Sequence, residues 1–226
     1  ITDKDIPYTP RLDKLKELAQ EIKTVLDSNP GLLLILGHGS GSFGHVAAKK
    51  HGTRDGVKTS EQWQGFAEVR FQAAELNRYV MESLFNAGVP AISFPPSASL
   101  ISNNRKVTHH NSLAIRKSLD FHLLPVVYGD VVFDETLGGT ILSTEDVFKF
   151  LMEQFTPSRI LLAGIEAGVW EDFPARTKLV KQIQLSDYEK MRAGIGGSVS
   201  TDVTGGMKAK VEEMLDLIQK NKDLTV

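Results

Sequence analysis

Short, wholly apolar runs alternate along this chain with stretches of helical periodicity, and that alternation is the tightest constraint on its fold. Leu32 to Leu36, Ala91 to Phe94, Pro125 to Tyr128 and Ile160 to Ala163 lack the apolar-polar alternation of a half-exposed strand. Such runs suit strands buried on both faces of a parallel sheet. Leu12, Leu15, Ala19, Ile22 and Leu26 recur at helical spacing until Asn29-Pro30-Gly31 stops them. From Ser60 to Asn86 no proline interrupts Phe66, Val69, Ala73, Leu76, Val80 and Leu84, which predicts one long helix closed by Gly88. The polar stretch from Ser97 to His110 reads as a loop before a helix capped by Asn111. Val131 to Phe133 and Thr140 to Leu142, joined across Leu137-Gly138-Gly139, read as a hairpin beside the main sheet. Ser143-Thr144-Glu145-Asp146 begins another helix, and a last one carries Met207, Val211, Met214, Leu215 and Ile218 on one face. The expected architecture is α/β, a three-layer αβα sandwich around a mainly parallel open sheet.

A chain of 226 residues buries roughly 70% of its unfolded surface, enough for a real core, so disorder is excluded. The net charge of −2, with signs mixed throughout, gives no basic stripe for a phosphate backbone and no polybasic membrane patch. Neither nucleic acid nor a membrane is expected as a partner. No apolar run approaches the roughly 20 residues of a membrane span, and the first residues lack a signal-peptide pattern, so the cytoplasm is the expected compartment. With no cysteine, disulfides, thiolate metal sites and cysteine nucleophiles are excluded.

Gly37-His38-Gly39-Ser40-Gly41-Ser42-Phe43-Gly44-His45 follows the first apolar run and leads into a plausible helix start at Ala47-Ala48-Lys49-Lys50. Glycines let backbone amides approach an anion, and a helix N-terminus behind them adds its dipole. Gly39, Gly41 and Gly44 also spell G-x-G-x-x-G, but residues 60 to 70 are helical where a dinucleotide fold needs a second strand ending in an acid. No Gly-Lys-Ser/Thr occurs, which excludes a P-loop. His45 closes the glycine stretch, where a ring N–H can reach the anion that the amides hold. His38 reads as a packing or capping residue at the strand end, and His51, His109, His110 and His122 as surface or loop residues. His109-His110 lacks a third ligand at helical spacing and is a weak metal signal.

Thr201-Asp202-Val203-Thr204-Gly205-Gly206-Met207-Lys208 repeats the pattern ahead of the last helix. A lysine in a first turn opposes the helix dipole, so Lys208 points to an anion there, although a solvated lysine costs only tenths of a kcal/mol. Gly129-Asp130 follows the third apolar run, at the sheet edge where open α/β sheets bind ligands. Asp130 either orients a lysine or Mg2+ or makes local turn bonds.

The set Ile1-Thr2-Asp3-Lys4, Gly39-Ser40-Gly41-Ser42-Phe43-Gly44-His45 with Ala48-Lys49-Lys50, Gly129-Asp130 and Asp202-Val203-Thr204-Gly205-Gly206-Met207-Lys208 resembles the isopentenyl phosphate kinases of the amino acid kinase superfamily. The resemblance runs through all 226 residues. It implies transfer of the γ-phosphoryl group of ATP, with Mg2+, to isopentenyl phosphate in isoprenoid biosynthesis. It implies catalytic roles for His45, Lys4 and Lys208, and acceptor binding by Ser40, Gly44, His45, Gly129, Asp130 and Thr144. Gly39, Gly41, Gly164, Gly205 and Lys208 are the implied ATP contacts, and no side-chain metal ligand is implied. One kinase domain is expected, with residues 1–155 as the acceptor half and 156–226 as the nucleotide half, and a homodimer as the assembly. Trp63, Phe66 and Phe71 are the candidate wall for the isoprenoid tail.

Three departures accompany the resemblance. The family's leading strand with Lys-x-Gly-Gly-Ser and its final glycine-containing strand are expected to lie outside these 226 residues. Ser40 stands where glycine is common, and Gly164-Ile165-Glu166-Ala167-Gly168 replaces Thr-Asp-Val-Asp-Gly. The rival readings are a superfamily kinase acting on a carboxylate, carbamate or nucleotide monophosphate, and a non-catalytic nucleotide-binding regulatory domain. His45 speaks against a carboxylate acceptor, which has less use for an imidazole at that place.

Overall fold

The periodicity that begins at Leu12 forms α1 (Leu12–Ser28), which buries Leu15 and Ala19. β1 (Leu36–His38) follows, then α2 (Gly41–His51). α3 spans Ser60–Asn86, the range its pattern predicts. A capping box starts it: Thr59 Oγ1 accepts from Gln62 N, while Gln62 Oε1 accepts from Thr59 N. β2 (Ala91–Ser93) and α4 (Pro96–Ser99) lead to β3 (Leu100–Asn103) and β4 (Lys106–His110). Then come α5 (Ser112–Asp120), β5 (Leu124–Tyr128), β6 (Asp130–Asp134), β7 (Gly138–Leu142) and α6 (Thr144–Phe155). α7 (Tyr188–Met191) and α8 (Gly206–Lys220) complete the order. This computed structural model describes residues 1–3, 5–164, 166–191 and 206–226, which form two units, Ile1–Gln154 and Phe155–Val226.

In the first unit β1, β5 and β2 form a parallel sheet in that order, with Leu36 opposite Val126 and Ala91 opposite Leu124. Every residue of β5 is buried, as a central strand requires. Leu15 and Ala19 of α1, Val80 and Leu84 of α3, and Leu124 and Val126 of β5 share one core cluster. A second sheet, ordered β4-β3-β6-β7, is antiparallel except where β3 runs parallel to β6. Ala47, Phe66, Val69 and Val131 pack together in a second cluster, between α2, α3 and β6. The fold is α/β with a parallel sheet, as expected.

Four sequence expectations change. The helix behind the glycine stretch starts at Gly41 and not at Ala47, so Gly44 and His45 lie within α2. Leu32 to Ile35 are not strand; Leu32 and Leu33 are exposed, and β1 starts only at Leu36. Ser97 to His110 is not a loop but the end of α4 and a hairpin, turned at Asn104 (φ 47°) and Arg105 (φ 65°). Two consecutive positive φ angles are the mark of the type I′ turn that suits hairpin twist. Ile160 to Ala163 is not a buried strand either: Leu161 and Leu162 are exposed, and the segment's pairing among the described residues is the bridge from Arg159 to Thr225. An apolar run records a preference for burial but needs neighbouring strands to satisfy its ladder groups. In the second unit Val211 and Leu215 of α8 pack against Tyr188, whose hydroxyl donates to Glu212 Oε1 at 2.7 Å.

Asp134 ties the second sheet together. Its carboxylate accepts from Ser102 Oγ (2.7 Å), Arg105 N (2.8 Å), Leu137 N (2.8 Å), Asn104 N (3.0 Å) and Thr136 N (3.0 Å), joining both hairpin turns. Burial alone would raise its pKa, but these donors, led by Arg105 N and Ser102 Oγ, hold it well below the usual carboxylate range. A depressed folded pKa contributes stability above the unfolded value, and that contribution is lost as pH falls through the folded one. Asp134→Ala is therefore expected to cost about 3 kcal/mol at neutral pH. In urea melts the gap to the native chain narrows below about pH 4, whereas a gap unchanged in acid would refute this account.

Candidate active site

The turn from β1 into α2 depends on glycine at two positions. Gly41 has φ +50°, in the left-handed region, and a Cβ there would lie 2.5 Å from Thr2 Oγ1. A Cβ on Gly44 would lie 2.3 Å from Ser40 Oγ. Ser42 N, in the first turn of α2, donates to Thr2 Oγ1 at 3.2 Å, and Ser42 Oγ is buried without a partner among the described residues. The Gly44 amide donates to the Ser40 carbonyl at 3.1 Å. It is thus committed within the helix, so what Gly44 supplies is the missing side chain that lets Ser40 fold over it.

His45 is exposed at the end of this first turn, and no aliphatic packing hides it. His38 is buried at the strand end, as expected. Its Nδ1 lies 3.0 Å from Gly39 O, its Nε2 lies 3.2 Å from Asn77 Oδ1, and its ring stacks on Tyr128 with centroids 5.2 Å apart. The His38 carbonyl accepts from Gly129 N at 3.2 Å and from Thr144 Oγ1 at 2.7 Å. Gly129 is close enough to α6 that a Cβ on it would sit 3.6 Å from Thr144 N. The carboxyl ends of β1 and β5 and the start of α6 therefore meet, bringing Gly39, Ser40, Gly41, Gly44, His45, Gly129 and Thr144 to one rim. Ser143 and Asp146 cap that start reciprocally, Ser143 Oγ donating to Asp146 Oδ2 at 2.8 Å and accepting from Asp146 N at 3.1 Å.

Asp130 turns inward instead. Its side chain is fully buried, with Oδ2 accepting from Ser97 N at 3.3 Å and lying 3.5 Å from Arg70 Nε, while Oδ1 accepts from Val131 N. Burial pushes its pKa up, against the pull of Ser97 and Arg70. Arg70 and Asn77 escape sequence reading. Asn77 had a signal, a polar residue amid Ala73, Leu76 and Val80 on the buried face of α3; Arg70 had none.

Trp63 and Phe66 pack on each other and on Phe133, with centroids 5.1, 5.9 and 5.4 Å apart, above Gly139. Phe71 is 64% exposed and takes no part in that wall. His51 bonds Glu68 at 2.7 Å, and the His110 ring packs on Phe150. In the second unit Gly164 is exposed, and a Cβ on it would lie 4.0 Å from Glu166 N; Glu166 accepts from Trp170 Nε1 and pairs with Arg176 Nη2, each at 3.0 Å. Lys208 is half-buried in the first turn of α8. Lys4 and Gly205, with Thr201 to Thr204, lie outside the described residues.

Among the described residues no three His, Asp or Glu side chains gather as metal ligands. The rim instead offers amides, a hydroxyl and an imidazole, which are partners for phosphate oxygens. Gly44→Ala should push Ser40 off the turn and raise the KM for an anionic substrate at least tenfold, with little change in thermal midpoint. Steady-state kinetics beside a melt checks this, and an unchanged KM would refute it.

The amino acid kinase family model matches residues 1–226. The isopentenyl phosphate kinase of Methanocaldococcus jannaschii is 35% identical over 98% of this chain and 84% of its own length. That of Methanothermobacter thermautotrophicus is 32% identical over 92% and 79%. Among solved structures, one described as isopentenyl phosphate kinase superposes with a TM-score of 0.70 at 26% identity, covering 82% of this chain and 77% of the other. A product complex of the Thermoplasma acidophilum enzyme gives 0.71 at 25% identity, covering 86% and 80%. With this kinship across its length and a glycine turn ending in an exposed imidazole at the strand rim, the chain belongs to the amino acid kinase family and, within it, to the isopentenyl phosphate kinases.

Proposed function

We propose that the protein transfers the γ-phosphoryl group of ATP to isopentenyl phosphate, releasing isopentenyl diphosphate and ADP. An oxygen of the acceptor monophosphate attacks the γ-phosphorus as the bond to the bridging oxygen of ADP breaks. Such a transfer needs positioning and charge stabilisation more than covalent help from the protein. The observation that carries the reading is His45, exposed beside the glycine turn at the carboxyl ends of β1 and β5. In this reading the His45 ring and the Ser40 amide donate to the acceptor phosphate, with Gly129 and Thr144 shaping the rim around it. Asp130 contributes at one remove, by holding Arg70.

Gly39 and Gly41 give the ATP phosphates access to the backbone. Gly164, Gly205 and Lys208 serve the nucleotide, and Lys4 and Lys208 offset charge on the transferring group. Residues 1–155 are then the acceptor half and 156–226 the nucleotide half. Mg2+, carried by the nucleotide's own phosphate oxygens, would screen their charge. Trp63 and Phe66 offer the isoprenoid tail an aromatic wall. A homodimer working in the cytoplasm completes the reading; among the described residues no helix is long and apolar enough to cross a membrane.

With Mg2+-ATP, the full-length protein is expected to release ADP much faster with isopentenyl phosphate than with glutamate, carbamate or UMP. His45→Ala and Lys208→Ala should each lower kcat about 100- to 1,000-fold, the loss typical of one donor to a developing charge. A coupled ADP assay decides. Equal rates across acceptors would overturn the substrate, and nucleotide binding without turnover would favour a regulatory domain.

A further inference from the structure

His38 is the buried polar side chain on which the glycine turn rests, and the reading above gives it no task. Its ring is sandwiched at the end of β1 by elements far apart in sequence: Tyr128 of β5 stacks on it, Asn77 of α3 meets Nε2, and Asn77 Nδ2 lies 3.0 Å from Ser93 Oγ of β2. Asparagine in the middle of a long helix gives up helix propensity, and burying its amide is costly without partners. The polar chain Ser93–Asn77–His38–Gly39 supplies those partners.

Proton bookkeeping fixes the direction of that chain. Gly39 O can only accept, so Nδ1 carries a hydrogen. A neutral ring then has a lone pair at Nε2, which needs a donor from Asn77. As placed, the amide presents Oδ1 to Nε2 and donates from Nδ2 to Ser93 Oγ; turned end for end in the same position it satisfies both neighbours, its NH2 facing Nε2 and its oxygen accepting from the Ser93 hydroxyl. The alternative is a doubly protonated ring donating to Asn77 Oδ1. Burial works against that charge, lowering the His38 pKa despite the upward pull of Gly39 and Asn77, and no carboxylate hydrogen-bonds the ring among the described residues.

The held carbonyl has a geometric consequence. Gly39 C=O and Ser40 N–H belong to one planar trans peptide and point in opposite directions. Pinning the carbonyl on a buried ring turns the Ser40 amide away from the core. The preceding peptide is pinned likewise, because the His38 carbonyl is taken by Gly129 N and Thr144 Oγ1. We propose that His38 is a positioning residue for phosphoryl transfer: held as the Nδ1–H tautomer by Asn77 and Ser93, it locks the Gly39–Ser40 peptide so that the Ser40 amide faces the acceptor phosphate. This rests on the kinase reading above and adds a residue that acts through another.

Two conservative variants separate positioning from plain packing. His38→Asn keeps an amide N–H near the place of Nδ1, whereas His38→Gln keeps one near the place of Nε2. Steady-state kinetics should show His38→Gln raising the KM for isopentenyl phosphate about tenfold, the worth of about 1.4 kcal/mol, with kcat and the KM for ATP within about threefold. His38→Asn should stay within about threefold of the native protein throughout. Equal KM changes in the two variants, or a change shared by ATP, would overturn the proposal. A long-range 1H–15N spectrum of the native protein tests the tautomer without turnover and without any variant having to fold. A hydrogen at Nδ1 and a bare Nε2 are expected, and a ring protonated at Nε2 alone or at both nitrogens overturns the proposal. If the native protein releases no ADP with isopentenyl phosphate, the kinase reading fails, and the spectrum still decides the tautomer.

Discussion

One backbone oxygen, the carbonyl of His38, organises this end of the molecule. It takes the Gly129 amide from β5 and the Thr144 hydroxyl from α6, so a strand end, a neighbouring strand end and a helix start meet at one acceptor. Each donor would be an unsatisfied buried group without it, which costs about 1–3 kcal/mol apiece. The glycine turn inherits its geometry from that junction. A Cβ on Gly37 would collide with Phe148 and Thr144, so the strand can approach α6 only because it carries no side chain there.

β6 shows how differently two carboxylates of one strand can be used. Asp134 is surrounded by N–H and O–H donors from both hairpin turns, and its charge is stabilised strongly enough to outweigh burial. Asp130, four residues earlier, has the Ser97 and Val131 amides and the Arg70 guanidinium at 3.5 Å, and burial dominates. Linkage gives the two opposite signs. Asp134 adds stability as pH rises from its folded towards its unfolded pKa and keeps it above that value, whereas the raised pKa of Asp130 means that ionising it works against the fold. The contacts of Asp130 join Arg70 of α3 and Ser97 of α4 to β6.

The sequence was most legible where the signal is local and long. The period of α3 is sustained from Ser60 to Asn86 and capped at Thr59, so both its ends follow from the residues alone. The glycine turn after the apolar run was legible, but the helix behind it starts at Gly41 and not at Ala47, because the glycines that free the turn also make up the first turn of α2. The hairpin of β3 and β4 was not, because Asn104-Arg105 lacks the glycine that usually announces a tight turn. Leu32 to Leu36 and Ile160 to Ala163 were over-read, since composition records a wish for burial and cannot name the strand that grants it. The same limit hid Arg70. A helix period says which face a residue is on, but the carboxylate it meets is 60 positions away, and only the fold brings the two together.

These limits bear on what a phosphoryl-transfer site asks of a sequence. Backbone amides do most of the holding at such a site, and they are invisible in a list of side chains. What a sequence can show is the set of residues that frees or aims them: glycines where a Cβ would collide, a helix start behind the turn, an imidazole beside it. Aiming is harder to read than freeing, because it is done by side chains that look structural. His38, Asn77 and Thr144 are all buried, none is a chemically reactive group in this setting, and each is hydrogen-bonded within one rim. A preorganised donor needs no rearrangement as charge moves in the transition state, and that advantage exists only if the peptide carrying it is already fixed. In the proposed function the polar chain from Ser93 to Gly39 is therefore as much a part of the acceptor site as the residues proposed to touch the anion.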